Sequence, residues 1–100
     1  MVVLPAQVDS VTVQLTATQP VQALARVRGV VGDGCSSLLP ITQQRDGNHI
    51  TLTIQRQRPA GAICIQIATL FDETVPLEGP FPPGSYQLSA NDVTVGFDVP

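Results

Sequence analysis

Lysine and tryptophan are absent from this 100-residue sequence, and charged residues make up only 13% of it. All five basic residues are arginines, and the eight acidic residues bring the net charge to −3. A nucleic-acid-binding surface usually needs clustered basic side chains, often with aromatics between them, and only four aromatics are present. We therefore predict no nucleic-acid partner. Hydrophobic residues make up 43% of the chain, which argues against a disordered protein.

Long hydrophobic runs are missing as well. The longest largely apolar stretch, residues 60–71, is interrupted by polar residues and is shorter than the ~20 residues of a membrane-spanning helix. No transmembrane segment is predicted. Residues 1–5 have neither a basic start nor an apolar core of useful length, so they do not resemble a secretory signal peptide. We assign residues 1–8 to an N-terminal extension and residues 9–99 to a single domain.

Alternation of apolar and polar residues, the pattern of half-buried strands, is the strongest feature that is present. Val11, Val13 and Leu15 alternate with polar residues, and residues 21–31 carry valine and alanine on one face with two arginines on the other. Similar segments follow at residues 50–55, 86–90 and 93–99. Seven to eight short strands of this kind predict an all-β sandwich of two antiparallel sheets.

Two dipeptides predict tight turns between strands. Asp46-Gly47 and Asn91-Asp92 each separate two alternating segments, and these residue types tolerate the backbone angles of a hairpin turn. Residues 62–70 differ, because both faces of the segment are largely apolar. Such a strand is expected to lie in the centre of a sheet or to be covered on both sides. Either the domain's own loops or a second copy of the chain could provide that cover, and the second case would be a homodimer through residues 62–70.

Cys35 and Cys64 are the only cysteines, and neither belongs to a C-x-x-C pair of the zinc or thioredoxin-like type. An even cysteine count in a small β domain favours a disulfide formed in an oxidising compartment, with two free buried thiols as the alternative. The bridge would contribute roughly 3.5 kcal/mol on the chain-entropy model.

No set of residues predicts a reaction. His49 is the only histidine, too few for the copper and zinc sites that need several nitrogen or sulfur ligands. A triad of His49 with Ser36 or Ser37 would lack the G-x-S-x-G pattern of a nucleophile elbow. The only adjacent acidic pair, Asp72-Glu73, has no calcium-loop pattern around it and is expected to form a solvated turn. We predict no catalytic residue, no cofactor and no metal.

Residues 82–88, Pro-Pro-Gly-Ser-Tyr-Gln-Leu, resemble the P-x-G-x-Y-x-L entry to a late strand of immunoglobulin-like and fibronectin type III-like sandwiches. Together with Gly34-Cys35, Ala62-Ile63-Cys64 and the terminal hairpin, they make residues 9–99 similar to uncharacterised small exported or lipid-anchored bacterial domains. The resemblance implies an immunoglobulin-like sandwich, an extracytoplasmic location, and a Tyr86 hydroxyl bonded to backbone at a corner between sheets. It implies no activity and no core disulfide of the antibody type.

Two functions are compatible with these observations. The first is a non-enzymatic extracytoplasmic module that binds a protein or glycan or serves a structural role. The alternative is a protease inhibitor that presents a loop to an active-site cleft, with residues 32–37, 58–61 and 79–84 as the candidate loops.

Overall fold

The computed structural model describes residues 1–100 and contains strands but no helices. Its ten strands are β1 (Val2–Pro5), β2 (Gln7–Leu15), β3 (Ala23–Gly32), β4 (Ser37–Leu38), β5 (Thr42–Asp46), β6 (His49–Thr53), β7 (Gln55–Arg58), β8 (Thr69–Pro76), β9 (Gly84–Ala90) and β10 (Val93–Val99). The all-β class is therefore confirmed. No helix capable of crossing a membrane is present.

The strands form three sheets, so the prediction of two antiparallel sheets with seven to eight strands is wrong. β2, β3 and β8 form an antiparallel sheet with β3 in the centre. A four-stranded sheet has the order β10-β9-β6-β5, and its β6 and β9 are parallel. β7 lies between β1 and β4 in a small third sheet. The small sheet escapes prediction because β7 reads Gln-Arg-Gln-Arg and shows no apolar alternation.

The hydrophobic core lies between the two larger sheets and is a single cluster of 17 buried residues. Alternate side chains of β3 enter it, as predicted: Ala23, Ala25 and Val27 are buried, whereas Arg26 and Arg28 are exposed. The four-stranded sheet contributes the fully buried side chains of Ile50, Leu52, Leu88 and Ala90. The alternation of residues along the strands thus predicted which side chains are buried, although the predicted number of sheets was wrong.

Both predicted hairpin turns are confirmed. Asp46 pairs with His49 across a two-residue turn, and Gly47 there has a positive φ of 59°. Ala90 pairs with Val93 across the second turn, where Asn91 has a φ of 53°. Asparagine is among the non-glycine residues that best accept this left-handed conformation.

Residues 1–8, predicted as an extension, form part of the folded domain in the structure. Strand β1 pairs with β7, with Val2 opposite Arg58 and Pro5 opposite Gln55. Ala6 and Val8 belong to the buried core. These pairings join distant parts of the chain, so no local sequence pattern indicated them.

Residues 62–70 do not form the predicted central strand. Residues 59–68 are an irregular loop, and strand β8 starts only at Thr69. Cys64 is bonded to Cys35, which follows β3, so the loop lies against the turn after that strand. The strand that the predicted homodimer would use is therefore absent over residues 62–68, and dimerisation itself stays a prediction.

Asp72 and Glu73 also differ from prediction, because they lie within β8 instead of forming a turn. Asp72 accepts hydrogen bonds from Arg26 on the neighbouring β3, with Nε to Oδ1 at 2.9 Å, and Arg28 lies 3.8 Å away. The hydrogen bonds and charge of Arg26, with the charge of Arg28, lower the pKa of Asp72. Asp72 thus forms cross-strand ion pairs with Arg26 and Arg28 on the sheet surface.

The segment from Glu78 to Gly84 is held down by aromatic packing and by one arginine. The Tyr86 hydroxyl donates to the Pro82 carbonyl at 2.6 Å, the kind of bond that the tyrosine resemblance implies. Arg45 Nη1 donates to the carbonyls of Glu78 and Pro80 at 2.7 and 2.8 Å. Its guanidinium also lies over the ring of the buried Phe81, 5.0 Å from the centroid. This loop is therefore part of the fold rather than a freely presented segment.

Candidate functional site

The most unusual surface of the domain is the loop of residues 59–68, which we call the stapled loop. Ile63 in this loop is fully exposed, and Ile65 and Ile67 are 72% and 55% exposed. Leu70, just inside β8, is 72% exposed. Large aliphatic side chains are normally among the most buried residues of a domain. Four of them within eight residues form a surface that the fold itself leaves uncovered.

A disulfide between Cys35 and Cys64 fastens this loop to the turn after β3. The Cα atoms of the two cysteines are 5.6 Å apart, within the usual range for a disulfide. The bridge is confirmed as predicted, and neither cysteine is free. Beside it, Gly34 N donates to Ile65 O at 2.9 Å. The loop is therefore held at its centre, at positions 64 and 65, by a covalent bond and a backbone hydrogen bond, with Ile63 and Ile67 on either side.

Asp33 and Arg58 form the polar support beneath the loop. Asp33 Oδ1 accepts from Cys35 N at 3.1 Å and from Ser36 Oγ at 3.0 Å, and Oδ2 lies 3.3 Å from Arg58 Nη2. The same Nη2 donates to Ala62 O at 3.3 Å and contacts Cys64 Sγ at 3.5 Å. One guanidinium thus joins the two segments that the disulfide connects.

The charge of Asp33 is stabilised within this network. Partial burial on its own would raise the pKa of Asp33. Hydrogen bonds from Ser36 and Cys35 and the positive charges of Arg58 and Arg56 outweigh it, so the pKa lies below the usual aspartate value. The carboxylate therefore stays ionised through the physiological pH range and keeps its contact with Arg58.

Strand β1 places further apolar side chains at the same end of the small sheet. Val2 lies opposite Arg58, which in turn contacts Ala62 and Cys64 in the stapled loop. The four residues from Met1 to Leu4 are between 37% and 75% exposed. Every large hydrophobic residue exposed on this protein lies either in residues 1–4 or in residues 63–70. We call these eight side chains the apolar surface: Met1, Val2, Val3, Leu4, Ile63, Ile65, Ile67 and Leu70.

The apolar surface is large enough to matter in binding. The exposed fractions of its four members in residues 63–70 equal about three complete side chains, or roughly 300 Å² at about 100 Å² per side chain, and Met1 to Leu4 add about two more, divided between the two faces of β1. Patches of roughly 300–600 Å² are the largest found on typical monomers and are often functional. A geometry of this kind can exclude water against a partner, but it holds no acid, base and nucleophile positioned for a reaction.

Sequence comparison gives this domain a family. Residues 25–99 match the profile of the ORF11 beta-sandwich domain. The chain belongs to this family. Two relatives come from Herpetosiphon aurantiacus, both described as uncharacterised 10.2 kDa proteins, one in the HgiCIIM 5′ region and one in the HgiBIM 5′ region. The first is 31% identical over 86 residues, covering 86% of this chain and 92% of the relative. The second is 30% identical over 76 residues, covering 76% and 93%.

No solved structure matches the chain. Within this chain, the segment that matches the family contains strands β4 to β10 and most of β3. Residues 1–24, which precede the matched segment, supply β1, β2 and part of the core in this chain.

His49 and the candidate serines lie in different parts of this ORF11 beta-sandwich domain. His49 Nε2 is 2.9 Å from Ser89 Oγ on the outer face of the four-stranded sheet. Ser36 Oγ instead donates to Asp33 beneath the stapled loop. The structure therefore does not bring His49 and Ser36 together. Ser89 as the histidine's partner was missed, since β6 and β9 are joined by a parallel pairing that no local pattern signals.

Three potential metal ligands do meet, namely Asp33, Cys35 and Cys64, whose ligand atoms all lie within 4.8 Å of one another. Both sulfurs are bonded to each other, so neither is the thiolate that metal binding requires. The nearby guanidinium of Arg58 adds positive charge at the same place. In the disulfide form, this cluster is a structural clamp for the stapled loop.

Proposed function

We propose that this protein is a non-enzymatic extracytoplasmic binding module whose binding surface is the stapled loop. The observation that carries the proposal is the exposure of Ile63, Ile65 and Ile67 on a loop held by a disulfide. A loop fixed before binding loses little conformational entropy when a partner covers it. An apolar partner surface could therefore bury these side chains without a conformational change in the loop.

The free energy gained by burying the apolar side chains is compatible with binding, but polar contacts around them must contribute as well. Burial of the roughly 300 Å² of apolar surface in residues 63–70 is worth about 8 kcal/mol before association costs. Those costs are an estimated ~4–15 kcal/mol, so apolar burial alone leaves a narrow margin. We infer that hydrogen bonds at the rim, where the loop backbone is exposed, complete the interface.

The disulfide also supports the proposed location outside the cytoplasm, either secreted or lipid-anchored at the cell envelope. Bridges of this kind form and persist in oxidising compartments and are rare in the cytosol. The test is mass spectrometry of the protein alkylated directly in its source cells. A bridge between Cys35 and Cys64 agrees with the proposed location, and two alkylated thiols contradict it.

Site-specific photo-crosslinking tests the binding surface. In one variant a benzophenone amino acid replaces Ile63. In a matched control it replaces Thr53, an exposed residue of β6 in the four-stranded sheet. We expect a discrete adduct with a protein from position 63 and none from position 53. The adduct should disappear when Ile65→Ser and Ile67→Ser are added. Equal labelling from both positions, or none from position 63, would contradict the proposal.

A second copy of the chain is one partner that this experiment would identify. The apolar part of a standard interface is about 450–500 Å² on each partner, and the roughly 300 Å² of residues 63–70 would supply more than half of it. A dimer built on the exposed loop would replace the strand-mediated dimer predicted from sequence. It would give an adduct of twice the 10.6 kDa chain mass.

Protease inhibition is the second candidate function, and one observation favours it. Ile63 is fully exposed beside a disulfide-bonded cysteine, as an inhibitor residue that enters a specificity pocket must be. Among the predicted loops, residues 79–84 fit this role least, because Phe81 is buried and Arg45 donates to the carbonyls of Glu78 and Pro80. Inhibition of an elastase-like protease that shifts to trypsin-like specificity in Ile63→Arg would establish this function. If neither the wild-type protein nor Ile63→Arg inhibits an elastase-like or a trypsin-like protease, protease inhibition is ruled out as the function.

A further inference from the structure

The outer face of the four-stranded sheet carries a second feature, separate from the stapled loop. A depression of about 710 Å³ lies at the end of the sheet near the β5–β6 turn. Most of the residues around it are polar and exposed. Its lining consists of Asp46, Asn48, His49, Ser85, Tyr86, Gln87, Gly96, Phe97 and Asp98.

Part of this lining is held in position by hydrogen bonds. Asn48 Nδ2 donates to Ser85 O at 3.0 Å, which fixes the side chain across the depression. His49 Nε2 lies 2.9 Å from Ser89 Oγ, and that hydroxyl lies 2.9 Å from Thr94 Oγ1. The imidazole is therefore oriented by a chain of hydroxyl groups. Such preorganisation reduces the entropy cost of binding a small ligand.

Other lining side chains keep their hydrogen-bonding capacity free. The side chains of Asp46, Gln87 and Asp98 make none of the hydrogen bonds or ion pairs found within this chain. Two carboxylates accept hydrogen bonds, and an amide both donates and accepts. Hydroxyl groups of a ligand would match this set, because each hydroxyl can donate to a carboxylate and accept from the amide.

Gly96 provides room for such a ligand. It adopts no left-handed backbone angle, so it is not required by the local conformation. A Cβ atom built there would meet Tyr86 O at 3.7 Å, an ordinary contact distance. Neither the backbone conformation nor packing requires a glycine at this position, and the absence of a side chain leaves space above the sheet.

Charge narrows the chemical class of the ligand. No arginine lines the depression, and Asp46 and Asp98 would repel an anion. Only Tyr86 and Phe97 are hydrophobic, too few for an apolar ligand. We propose that this depression binds a neutral carbohydrate through its carboxylates, amides and imidazole. This site is independent of the proposed protein-binding role of the stapled loop.

NMR titration of the isotope-labelled protein tests the proposal. The probes are three neutral trisaccharides, namely cellotriose, triacetylchitotriose and mannotriose, with the anionic sialyllactose and lysine amide as charged comparisons. We expect at least one neutral trisaccharide to shift the amide signals of residues 46–49, 85–87 and 96–98, with a dissociation constant on the order of 1 mM. The anion should cause no shifts there.

Gly96→Val should abolish these shifts by filling the depression, while Thr53→Ala, on the same sheet face but outside the lining, should preserve them. If Gly96→Val does not fold, Gln87→Ala replaces it and should weaken binding at least fivefold. Saturable shifts that persist unchanged in the folded variant would overturn the assignment. So would the absence of shifts with all three neutral sugars at roughly 20 mM, or binding of lysine amide alone.

Discussion

Asn91 is the residue whose replacement should reveal most about how the domain is held together. Its Nδ2 donates to Ala6 O at 2.7 Å and to Ile54 O at 2.9 Å, and its Oδ1 accepts from Ile54 N at 3.0 Å. One side chain thus joins the β9–β10 turn to the β6–β7 junction and to the start of β2. We expect Asn91→Ala to destabilise the protein strongly.

The magnitude follows from these three bonds and from the backbone. Three hydrogen bonds at about 1 kcal/mol each give roughly 3 kcal/mol, and a non-glycine residue at φ 53° adds about 1 kcal/mol. Asn91→Gly keeps the left-handed angle and should cost about 3 kcal/mol. Asn91→Asp keeps the acceptor for Ile54 N but places a negative charge against two carbonyls. It should cost at least ~2 kcal/mol.

Urea unfolding followed by circular dichroism at pH 7 measures these differences. A loss of about 4 kcal/mol is a large part of the ~5–15 kcal/mol typical of a domain, so the Asn91→Ala midpoint should fall visibly. A cost below ~1 kcal/mol with an unchanged slope would refute the reasoning, because it would mean that water replaces the three bonds.

Four further perturbations test other parts of the structure. Replacing Cys35 and Cys64 together by alanine should cost up to roughly 3.5 kcal/mol in urea unfolding, while leaving circular dichroism of the folded sheets unchanged. Ile63→Ser should change stability by less than about 0.5 kcal/mol, because the side chain is exposed. Tyr86→Phe should cost about 1 kcal/mol in thermal unfolding. The lowered pKa of Asp33 stabilises the fold above its unfolded pKa of about 3.9, and this contribution disappears as pH falls through the folded pKa. The midpoint difference between wild type and Asp33→Asn should therefore be constant at neutral pH and shrink in acid.

The alternation of apolar and polar residues predicted the strands that bury one face, because alternation arises when one face packs on the core and the other faces solvent. β2, β3, β6, β9 and β10 each place apolar side chains on a core-facing side, so alternation locates them. Strands β1 and β7 lie in the small sheet and are defined by pairing with each other. Their sequences, Val-Val-Leu-Pro and Gln-Arg-Gln-Arg, contain no such pattern.

The stapled loop shows why periodicity could not decide burial. Apolar residues on both faces of residues 62–70 fit a buried central strand and an exposed loop equally well. The disulfide to Cys35 and the bond from Gly34 to Ile65 determine the outcome, because they hold the segment at the end of the sheet. The bridge itself was predictable from cysteine count, but its effect on the neighbouring isoleucines was not.

The contacts of Arg45 and Asn91 were also beyond sequence reasoning. Arg45 binds carbonyls 33 and 35 positions away, and Asn91 binds Ala6 across 85 positions. Both residues are ordinary members of hairpins in sequence terms. Their roles depend on which strands become neighbours, and the parallel pairing of β6 with β9 has no local signal.

The most direct test of the stapled loop as the binding surface compares crosslinking from position 63 with and without its disulfide. The benzophenone variant is prepared in the disulfide-bonded chain and in the chain carrying Cys35→Ala and Cys64→Ala. A loop ordered in advance should give an adduct whose yield falls severalfold when the bridge is removed. No adduct from the disulfide-bonded chain would contradict the account, and an equal yield from both chains would show that the bridge does not prepare this surface for binding.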